Sequence, residues 1–383
     1  MLQPARLSKL TCAARAPLSM SVSEAALNAA LATVLDPHTG QPYTAARQLK
    51  NLRVGADGAV AFEIELGYPA RSQFPVVREA LAAAAKSVAG VASVSVDVST
   101  KIVAHQVQRG VALLPGVANV IAVSSGKGGV GKSTTAVNLA LALSAEGARV
   151  GLLDADIYGP SLPLMMGIAG RPESEDGKTF HALENHGVKV SSIGFLVDSE
   201  QAMAWRGPMA TNALDTLLRQ TIWGELDYLV IDMPPGTGDI PLTLSQRVPV
   251  TGAVIVTTPQ DIALLDARKG VNLFQKVGVP ILGIVENMAV HVCTNCGHVE
   301  HIFGADGGKR MAAQYGVEYL GALPLTMAIR EQTDSGTPTV AAEPDGEIAG
   351  LYKAVARQVA VVVAGKAKDF SAKFPTINIS KTT

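Results

Sequence analysis

The apolar residues of the first hundred positions change from helical to strand spacing and back. After Ser23, the run EAALNAALATVL at 24–35 repeats its apolar side chains at helical intervals, and Asp36-Pro37 predicts where this helix stops. The further elements predicted by the same pattern are a hairpin at 52–67 around the turn GADG, a helix at 76–88 and a strand at 91–99. These elements predict a small α+β domain over residues 21–100.

From Val120 onward, short apolar runs alternate with segments of helical length. The predicted strands are VIAVSS, RVGLLDAD, VKVSSIG, YLVIDMPP, AVIVTTP, ILGIVENM and YLGALPL. These runs and the helices between them predict an α/β fold with a doubly wound, mainly parallel sheet. We place this domain at residues 119–369. An irregular linker at 101–118 precedes it, and a tail at 370–383 follows it.

Composition and charge narrow the classes of partner. The chain has 383 residues, of which 48% are hydrophobic, and its formal net charge is −1, so no overall field attracts nucleic acid or an anionic membrane. Its longest apolar stretch near the C-terminus, VAVVVAG, is far shorter than the ~20 residues of a membrane span. We therefore expect no nucleic-acid partner, no membrane partner and no transmembrane helix.

Cysteine usage and the first residues bear on the compartment. Three cysteines cannot build a disulfide framework, which favours a reducing compartment, and we expect the cytoplasm. Residues 1–20 carry Arg6, Lys9 and Arg15 without an acidic residue, which resembles a targeting peptide but lacks the apolar core of a secretory signal. The alternatives for this extension are a disordered or untranslated segment, with translation from Met20, and an organelle transit peptide.

A glycine-rich segment joins the first predicted strand of the larger domain to its helix. The sequence GKGGVGKST fits the phosphate-loop pattern G-x-x-x-x-G-K-[ST], whose backbone N–H groups cradle phosphates at a helix N-terminus. Its members are Gly126, Lys127, Gly128, Gly129, Val130, Gly131, Lys132, Ser133 and Thr134. We expect Lys132 to reach the β- and γ-phosphates of ATP, Ser133 to bind Mg²⁺, and Thr134 to lie near the α-phosphate.

Lys127, early in this loop, indicates a subclass. A lysine at this position resembles the deviant Walker A class, which includes nitrogenase iron protein, MinD, ParA and the arsenite-pump ATPases. The resemblance implies that Lys127 acts across a homodimer on the partner's nucleotide, much as an arginine finger does. Lys127 and Lys132 are therefore candidate catalytic residues. The alternative for Lys127 is an exposed, solvated lysine.

Acidic residues at two strand ends complete the predicted nucleotide site. In DADIYGPS, the resemblance implies that Asp156 orients the attacking water, with Asp154 supporting the metal shell. In VIDMPPGTGD, Asp232 is the expected Walker B carboxylate for Mg²⁺, and Asp239 ends a switch segment that begins at Pro234. The alternative for Asp154 and Asp239 is a helix N-cap.

A third strand end offers contacts for the base of the nucleotide. Asn287 follows the predicted strand ILGIVE, at the kind of edge where open sheets bind nucleotides. The resemblance to the deviant Walker A class implies that Asn287 contacts adenine. Pro324, in ALPL, is a second candidate for that contact.

Two of the three cysteines form a C-x-x-C motif in HVCTNCGHVEH. Cys293 and Cys296 supply two thiolates, whereas an iron–sulfur cluster or a structural zinc ion takes four ligands. The missing ligands come either from a second copy of the chain or, for Zn²⁺, from His291, His298 or His301. A redox disulfide between the two cysteines is the third alternative.

Taken in order, the phosphate loop, DADIYGPS, DMPPGTGD, ENM and CTNCGH closely resemble the Mrp/ApbC family of iron–sulfur cluster carrier ATPases over residues 120–340. The N-terminal unit resembles the small α/β domain of bacterial members. Its segment LGYPARSQFPVVREAL has no cysteine where some relatives carry one, so we expect no cluster chemistry there. The resemblance implies ATP hydrolysis, a [4Fe–4S] cluster held by Cys293 and Cys296 at a homodimer interface, and transfer to apo iron–sulfur proteins. Cluster assembly scaffold proteins are implied as further partners.

Two other classes of function fit the same phosphate loop. A positioning ATPase of the MinD or ParA type needs a basic amphipathic C-terminal helix or a basic surface stripe, and neither is evident in AKDFSAKFPTINISKTT. A zinc-stabilised, nucleotide-dependent scaffold would instead retain one zinc ion per chain. Uptake of iron and sulfide distinguishes the carrier from the scaffold.

Overall fold

The computed structural model describes residues 22–45, 48–108, 111–197 and 207–368. The predicted extension at 1–20 and the predicted tail at 370–383 therefore lie outside the described residues. The contacts between Cα atoms divide the described chain into two units. The smaller unit contains residues 22–64 and 75–98, and the larger contains 65–74 and everything from 99 onward, including the segment predicted as a linker.

The N-terminal elements follow the predicted order of helix, hairpin, helix and strand. They are α1 (Glu24–Leu31), β1 (Leu49–Val54), β2 (Ala59–Leu66), α2 (Phe74–Lys86) and β3 (Ser93–Thr100), with the three strands in the order β1-β2-β3. In β2 every second side chain from Val60 to Leu66 is buried, as expected for a strand with one covered face.

Helix α1 is shorter than its apolar pattern predicts. Ser23 caps it, and its hydroxyl accepts a hydrogen bond from the Ala26 N–H at 3.3 Å. The helix ends at Leu31 rather than at residue 35, because the next N–H groups, at Thr33 and Val34, bond to carbonyls only three residues back. The chain then forms an isolated antiparallel bridge between Leu35 and Pro42.

The larger unit contains the seven predicted strands. Its first elements are β4 (Val117–Ser124), α3 (Lys132–Ala145), β5 (Val150–Asp154), α4 (Leu162–Met165), β6 (Phe180–His181), β7 (Leu183–Asn185), β8 (Val188–Ser191), α5 (Gly207–Gln220), β9 (Thr221–Ile222) and β10 (Leu226–Asp232). They are followed by α6 (Asp239–Arg247), β11 (Gly252–Thr257), α7 (Asp261–Lys276), β12 (Ile281–Val292), β13 (Val299–Glu300), α8 (Gly307–Tyr315), β14 (Tyr319–Pro324), α9 (Met327–Asp334), α10 (Thr339–Ala342) and α11 (Glu347–Ala364). The predicted runs correspond to β4, β5, β8, β10, β11, β12 and β14.

The central sheet is doubly wound and mainly parallel, which confirms the predicted fold class. Its order is β13-β12-β11-β4-β10-β5-β8-β7, with β14 also paired to β12. From β4 the chain moves one way to β5 and β8, returns to β10, and then moves the other way to β11, β12 and β14. Right-handed crossovers in two directions place helices on both faces of the sheet. Only the short strands β7 and β13 pair antiparallel with this sheet among the described residues.

Burial explains why the central strands show no alternation of apolar and polar residues. Every residue of β5, β10 and β11 is buried, because both faces of a parallel sheet are covered. Helix α3 is also buried along most of its length and packs against α11 and the central strands. Within the described ranges, no helix combines the length and apolarity that crossing a membrane requires.

Candidate functional site

Three central strands end side by side at one edge of the sheet. Strand β10 lies between β4 and β5, and the register places Asp232 beside Asp154 on one side and Val123 on the other. Parallel strands point their carboxyl ends the same way, so the segments that follow β4, β5 and β10 converge at this edge. The phosphate loop and both predicted acidic segments therefore meet there.

The phosphate loop turns tightly between β4 and α3. Gly129 and Gly131 have φ angles of +80° and +79°, a backbone region that side chains disfavour. A Cβ atom at Gly126 would overlap the backbone of Asp266 in α7, and one at Gly131 would overlap the amide of Asn287. These two glycines thus permit close packing around the loop, whereas Gly128 and Gly129 face open space.

Lys132 and Asp232 form a buried ion pair at the base of the loop. The ammonium Nζ lies 2.5 Å from Oδ1 of Asp232 and donates to the Ser133 hydroxyl at 3.2 Å. Burial raises the pKa of Asp232, and the neighbouring ammonium acts against that rise. The second carboxylate oxygen, Oδ2, is buried without a hydrogen-bond partner among the described residues. An oxygen of this kind suits a Mg²⁺ ion or its water shell.

Asp154 and Asp156 occupy different environments although they are two residues apart. Asp154 is fully buried, and its carboxylate accepts hydrogen bonds from the Asp156 and Leu162 N–H groups and from the Ser192 hydroxyl, at 3.0–3.2 Å. Burial, and then the charge of Asp232, raise the pKa of Asp154 to about 7. Asp154 thus anchors the segment that follows β5. It is not an N-cap, because the residue at the start of α4 is Ser161.

Asp156 is half-buried and remains near the loop. Burial raises the pKa of its carboxyl, while Lys132 lowers it and Asp232 raises it. These influences place Asp156 in the electrostatic neighbourhood of the Lys132–Asp232 pair. This is where a group that orients water for attack on a phosphate would lie.

Lys127 and Asp239 lie on more open parts of the site. The Lys127 side chain is half-buried, and no hydrogen bond or ion pair engages its ammonium within the part of the chain that the structure describes. Asp239 is exposed in the first turn of α6, one position after the N-cap, Gly238. Gly236 belongs to the switch segment, and its N–H donates to the Ser125 carbonyl at 3.1 Å. This bond ties the switch segment to the start of the phosphate loop.

Asn287 contacts the phosphate loop itself. Its amide Nδ2 donates to the Val130 carbonyl at 2.9 Å, and the residue is almost fully buried. One amide hydrogen and the side-chain oxygen remain for another contact, so the expected adenine contact stays a prediction. Pro324 is half-buried at the end of β14, opposite Val290 of β12.

The C-x-x-C motif forms a tight turn that joins β12 to β13. The Cys293 N–H donates to the His298 carbonyl at 2.9 Å, and the Gly297 N–H donates to the Cys293 carbonyl at 2.8 Å. The Asn295 and Cys296 N–H groups, and the Cys296 thiol, bond to the Cys293 sulfur and lower its pKa. The turn therefore stabilises a thiolate, the form that binds metal ions. Cys296 is exposed.

Among the described residues, the three histidines considered as zinc ligands form no metal-binding group with the two thiols. His291 Nδ1 bonds to the Leu325 carbonyl at 3.0 Å, and His301 Nδ1 bonds to the Ala289 carbonyl at 2.8 Å. His298 lies 3.9 Å from the Glu300 carboxylate. In the described ranges no three His, Cys, Asp or Glu side chains are grouped to hold a metal ion. A zinc site within one chain therefore has two thiols and no third ligand in this structure.

Two site residues escaped the sequence analysis. Ser192 donates to Asp154, and buried Glu286 accepts a hydrogen bond from the Gly308 N–H at the start of α8. Ser192 directly follows β8, whereas Glu286 lies inside β12, which continues to Val292. A polar residue in VKVSSIG or ILGIVENM is the signal that marks them. Their partners are 38 and 22 residues away along the chain, so the pairings themselves had no local signature.

The strand, glycine-rich loop and helix, with the Lys132–Asp232 pair beneath them, define a P-loop nucleotide-binding protein. Residues 116–360 match the family described as NUBPL iron-transfer P-loop NTPase, and residues 24–98 match the family described as iron-sulfur cluster assembly protein. The chain belongs to the family of NUBPL iron-transfer P-loop NTPases. This membership confirms the resemblance to cluster carriers that the motifs indicated.

Curated relatives carry names of the same kind. The iron-sulfur cluster carrier protein of Pseudomonas fragi is 61% identical over 269 residues, which is 70% of this chain and 94% of the relative. That of Escherichia coli K12 is 52% identical, over 79% of this chain and 83% of the relative. The iron-sulfur cluster transfer protein NUBPL of Mus musculus is 53% identical, over 64% of this chain and 78% of the relative.

A solved structure supports the fold of the larger unit. A nucleotide-binding protein from Archaeoglobus fulgidus, in complex with ADP and with cobalt, is 38% identical with a TM-score of 0.52. The match covers 58% of this chain and 88% of that protein. The larger unit of the chain thus shares its architecture with a protein that binds a nucleotide.

Proposed function

We propose that this chain is an ATP-dependent iron–sulfur cluster carrier that holds a [4Fe–4S] cluster between two copies of itself and delivers it to apo-proteins. The observation that carries the proposal is a contrast within one chain: the nucleotide site has its partners, whereas the C-x-x-C turn presents two thiols alone. Family membership and the names of the relatives support the same function.

The residues of the phosphate loop fit ATP with Mg²⁺. Bound ATP supplies the phosphoryl group that is transferred to water, and Mg²⁺ offsets its negative charge. Lys132 leaves Asp232 Oδ1 and turns toward the phosphates, which frees that oxygen beside the unpartnered Oδ2. Ser133, already in contact with Lys132, supplies a hydroxyl at the same place. Thr134, in the first turn of α3, lies one residue further along.

Hydrolysis of ATP needs a water molecule held in line with the phosphate. Asp156 accepts a proton or a hydrogen bond from that water, and Asp154 fixes the backbone of Asp156 through the bond to its N–H. On the other side of the loop, the switch segment responds to the state of the nucleotide. This segment ends at Asp239 and is tied to the loop by the hydrogen bond from the Gly236 N–H to the Ser125 carbonyl. Asp154 is therefore a positioning residue in this scheme rather than a direct ligand.

A second copy of the chain supplies what one copy lacks. The ammonium of Lys127 is without a partner in the described residues, and a four-ligand cluster needs two more thiolates than one turn offers. A two-fold symmetric dimer provides both a partner for Lys127 and the two further thiolates. A two-fold axis beside the turn brings Cys293 and Cys296 of each copy together. Apolar side chains that belong to segments following strands β5, β11, β12 and β14 are exposed. They are Tyr158, Leu164, Ile262, Leu265, Val292, Val299, Ile302 and Met327.

Anaerobic reconstitution of the full chain with iron and sulfide tests the proposal. We expect one [4Fe–4S] cluster per two chains by metal analysis and absorption, with the loaded protein dimeric by light scattering. Cys293→Ser and Cys296→Ser abolish uptake, and Cys12→Ser is the matched control that retains it. Retention of one zinc ion per chain with no uptake of iron and sulfide would contradict the proposal and favour the scaffold.

A further inference from the structure

Strand β12 connects the two sites of the chain. It runs from Ile281 to Val292, twice the length of its neighbour β11, and ends immediately before Cys293. Asn287, near its middle, bonds to the phosphate loop. Five residues therefore lie between Asn287, which contacts the phosphate loop, and Cys293, the first thiol.

The strand is interrupted at this contact by a bulge. In the pairing with β14, Glu286 lies opposite Ala322 and Val290 lies opposite Pro324. Three residues of β12 thus stand against one of β14, and the central one, Met288, has a φ angle of +55°. A side chain other than glycine rarely adopts this conformation, and bulges next to functional sites re-aim side chains. Here the bulge turns Asn287 toward Val130.

The bond between Asn287 and the loop is made to a peptide of the predicted phosphate cradle. The Val130 carbonyl belongs to the same planar peptide as the Gly131 N–H, and the two groups point in opposite directions. When the Gly131 N–H turns onto a phosphate oxygen, the Val130 carbonyl must rotate against Asn287. Because Gly131 has no Cβ, the Asn287 amide lies directly against the loop and follows this rotation.

Beyond the bulge, the strand is held as one piece with the cysteine turn. The Ala289 carbonyl accepts a hydrogen bond from His301, and the Val290 carbonyl accepts one from the Leu325 N–H at 2.8 Å. The Cys293 N–H is bonded to the other side of the turn. These bonds hold residues 289–293 to the cysteine turn and to the segment that follows β14.

We propose that Asn287 is a positioning residue that couples the nucleotide state of the phosphate loop to the exposure of Cys293 and Cys296 through the bulged strand β12. The inference rests on the proposed function, since it concerns how such a carrier regulates its grip on the cluster. Asn287 acts through the strand and not by touching the cluster.

Thiol alkylation of the metal-free, full-length protein tests this coupling. The rate of iodoacetamide labelling at Cys293 and Cys296 is measured by mass spectrometry without nucleotide, with MgADP and with the slowly hydrolysed MgATPγS. We expect saturating MgATPγS to change the rate at least about fivefold in the parent, the lower end of typical coupling between sites. Asn287→Ala brings this ratio close to one while both thiols remain reactive, and Asn287→Gln restores part of it.

Asn185→Ala is the matched control. Asn185 also donates its amide to a backbone carbonyl, that of Met166 at 2.8 Å, but it lies in β7 at the other edge of the sheet. This variant keeps the nucleotide response of the parent. A response in Asn287→Ala as large as in the parent, or no response in the parent, overturns the proposal.

A second variant covers the case in which Asn287→Ala binds no nucleotide. Met288→Gly keeps the Asn287 side chain but lets the bulge relax, because glycine adopts many backbone conformations there. We expect a clearly smaller nucleotide response in Met288→Gly, and an undiminished one overturns the coupling. The assay contains no iron, so a failure of cluster uptake would count against the proposed function and leave this result standing.

Discussion

The phosphate loop is held by contacts within the chain, whereas the cysteine turn is largely exposed. The loop lies over the buried Lys132–Asp232 ion pair and is held by hydrogen bonds from Asn287 and Gly236. The turn projects beyond the sheet, with Cys296 exposed and Val292 and Val299 exposed beside it. One region thus depends on internal order, and the other on what approaches it from outside.

Because of this difference, we expect substitutions in the loop and in the turn to impair the protein in different ways. A change in the loop leaves a buried charge or a misplaced backbone, so it costs stability as well as chemistry. A change in the turn removes a ligand from a surface where solvent replaces every lost contact. Stability and cluster uptake are therefore expected to respond to different residues.

The largest expected effect is on the loop side. Lys132→Ala leaves the Asp232 carboxylate buried without its counter-ion, and we expect the free energy of unfolding to fall by about 3–5 kcal/mol. Cys293→Ser, on the exposed turn, should change it by less than about 0.5 kcal/mol. Urea denaturation of both variants measures the contrast. Adding Asp232→Asn to Lys132→Ala should recover part of the loss, and equal losses in Lys132→Ala and Cys293→Ser would contradict the comparison.

The next largest expected effect is on kcat for ATP hydrolysis and concerns Lys127. If Lys127 acts on the partner's nucleotide, Lys127→Ala lowers kcat about 10²–10³-fold, the value of one charged donor to a transition state. Asp156→Asn inactivates its own site but still offers Lys127 to its partner. An equimolar mixture of the two inactive variants should then regain about a quarter of the parent rate, since half the dimers are mixed and each has one intact site. A mixture as inactive as its components would contradict action in trans.

The smallest of the three effects is a dependence on pH. The pKa of Asp154 rises from 3.8 to about 7 on folding, so between these values the folded chain binds a proton that the unfolded chain releases. The free energy of unfolding therefore falls by roughly 1.4 kcal/mol for each pH unit as pH rises from about 4 to about 7. Asp154→Asn lacks this slope. Denaturation curves across that range measure it, and parallel pH profiles of parent and variant would refute the assignment.

Much of the fold was predictable because its signals are local. The seven buried strands stand out as apolar runs, and the phosphate loop is a contiguous pattern between a strand and a helix. The two-residue strand β13 carries no periodicity, because two residues are too few to show alternation. The early end of α1 was missed because apolar residues continue past Leu31 in sequence, although Leu35 is exposed.

The candidate site was predictable as a set of residues but not as a set of partners. Lys132 and Asp232 were identified from separate motifs, and their direct contact is a consequence of strand order. The bond from Asn287 to Val130 spans 157 residues and depends on a bulge that no local pattern encodes. The histidines beside the cysteines illustrate the converse, since their spacing suggested ligands and the described residues group none of them with the two thiols.

The hydrogen bonds that lower the pKa of Cys293 have a further consequence for handling and survival of the protein. Hydrogen peroxide oxidises the thiolate form of a cysteine to sulfenic acid, and the exposed Cys296 thiol can then attack that sulfur to form a disulfide and release water. We therefore expect oxidants to alter the C-x-x-C turn before they reach the buried Lys132–Asp232 pair. We expect a chain exposed to air to keep its buried ion pair and to lose its two free thiols.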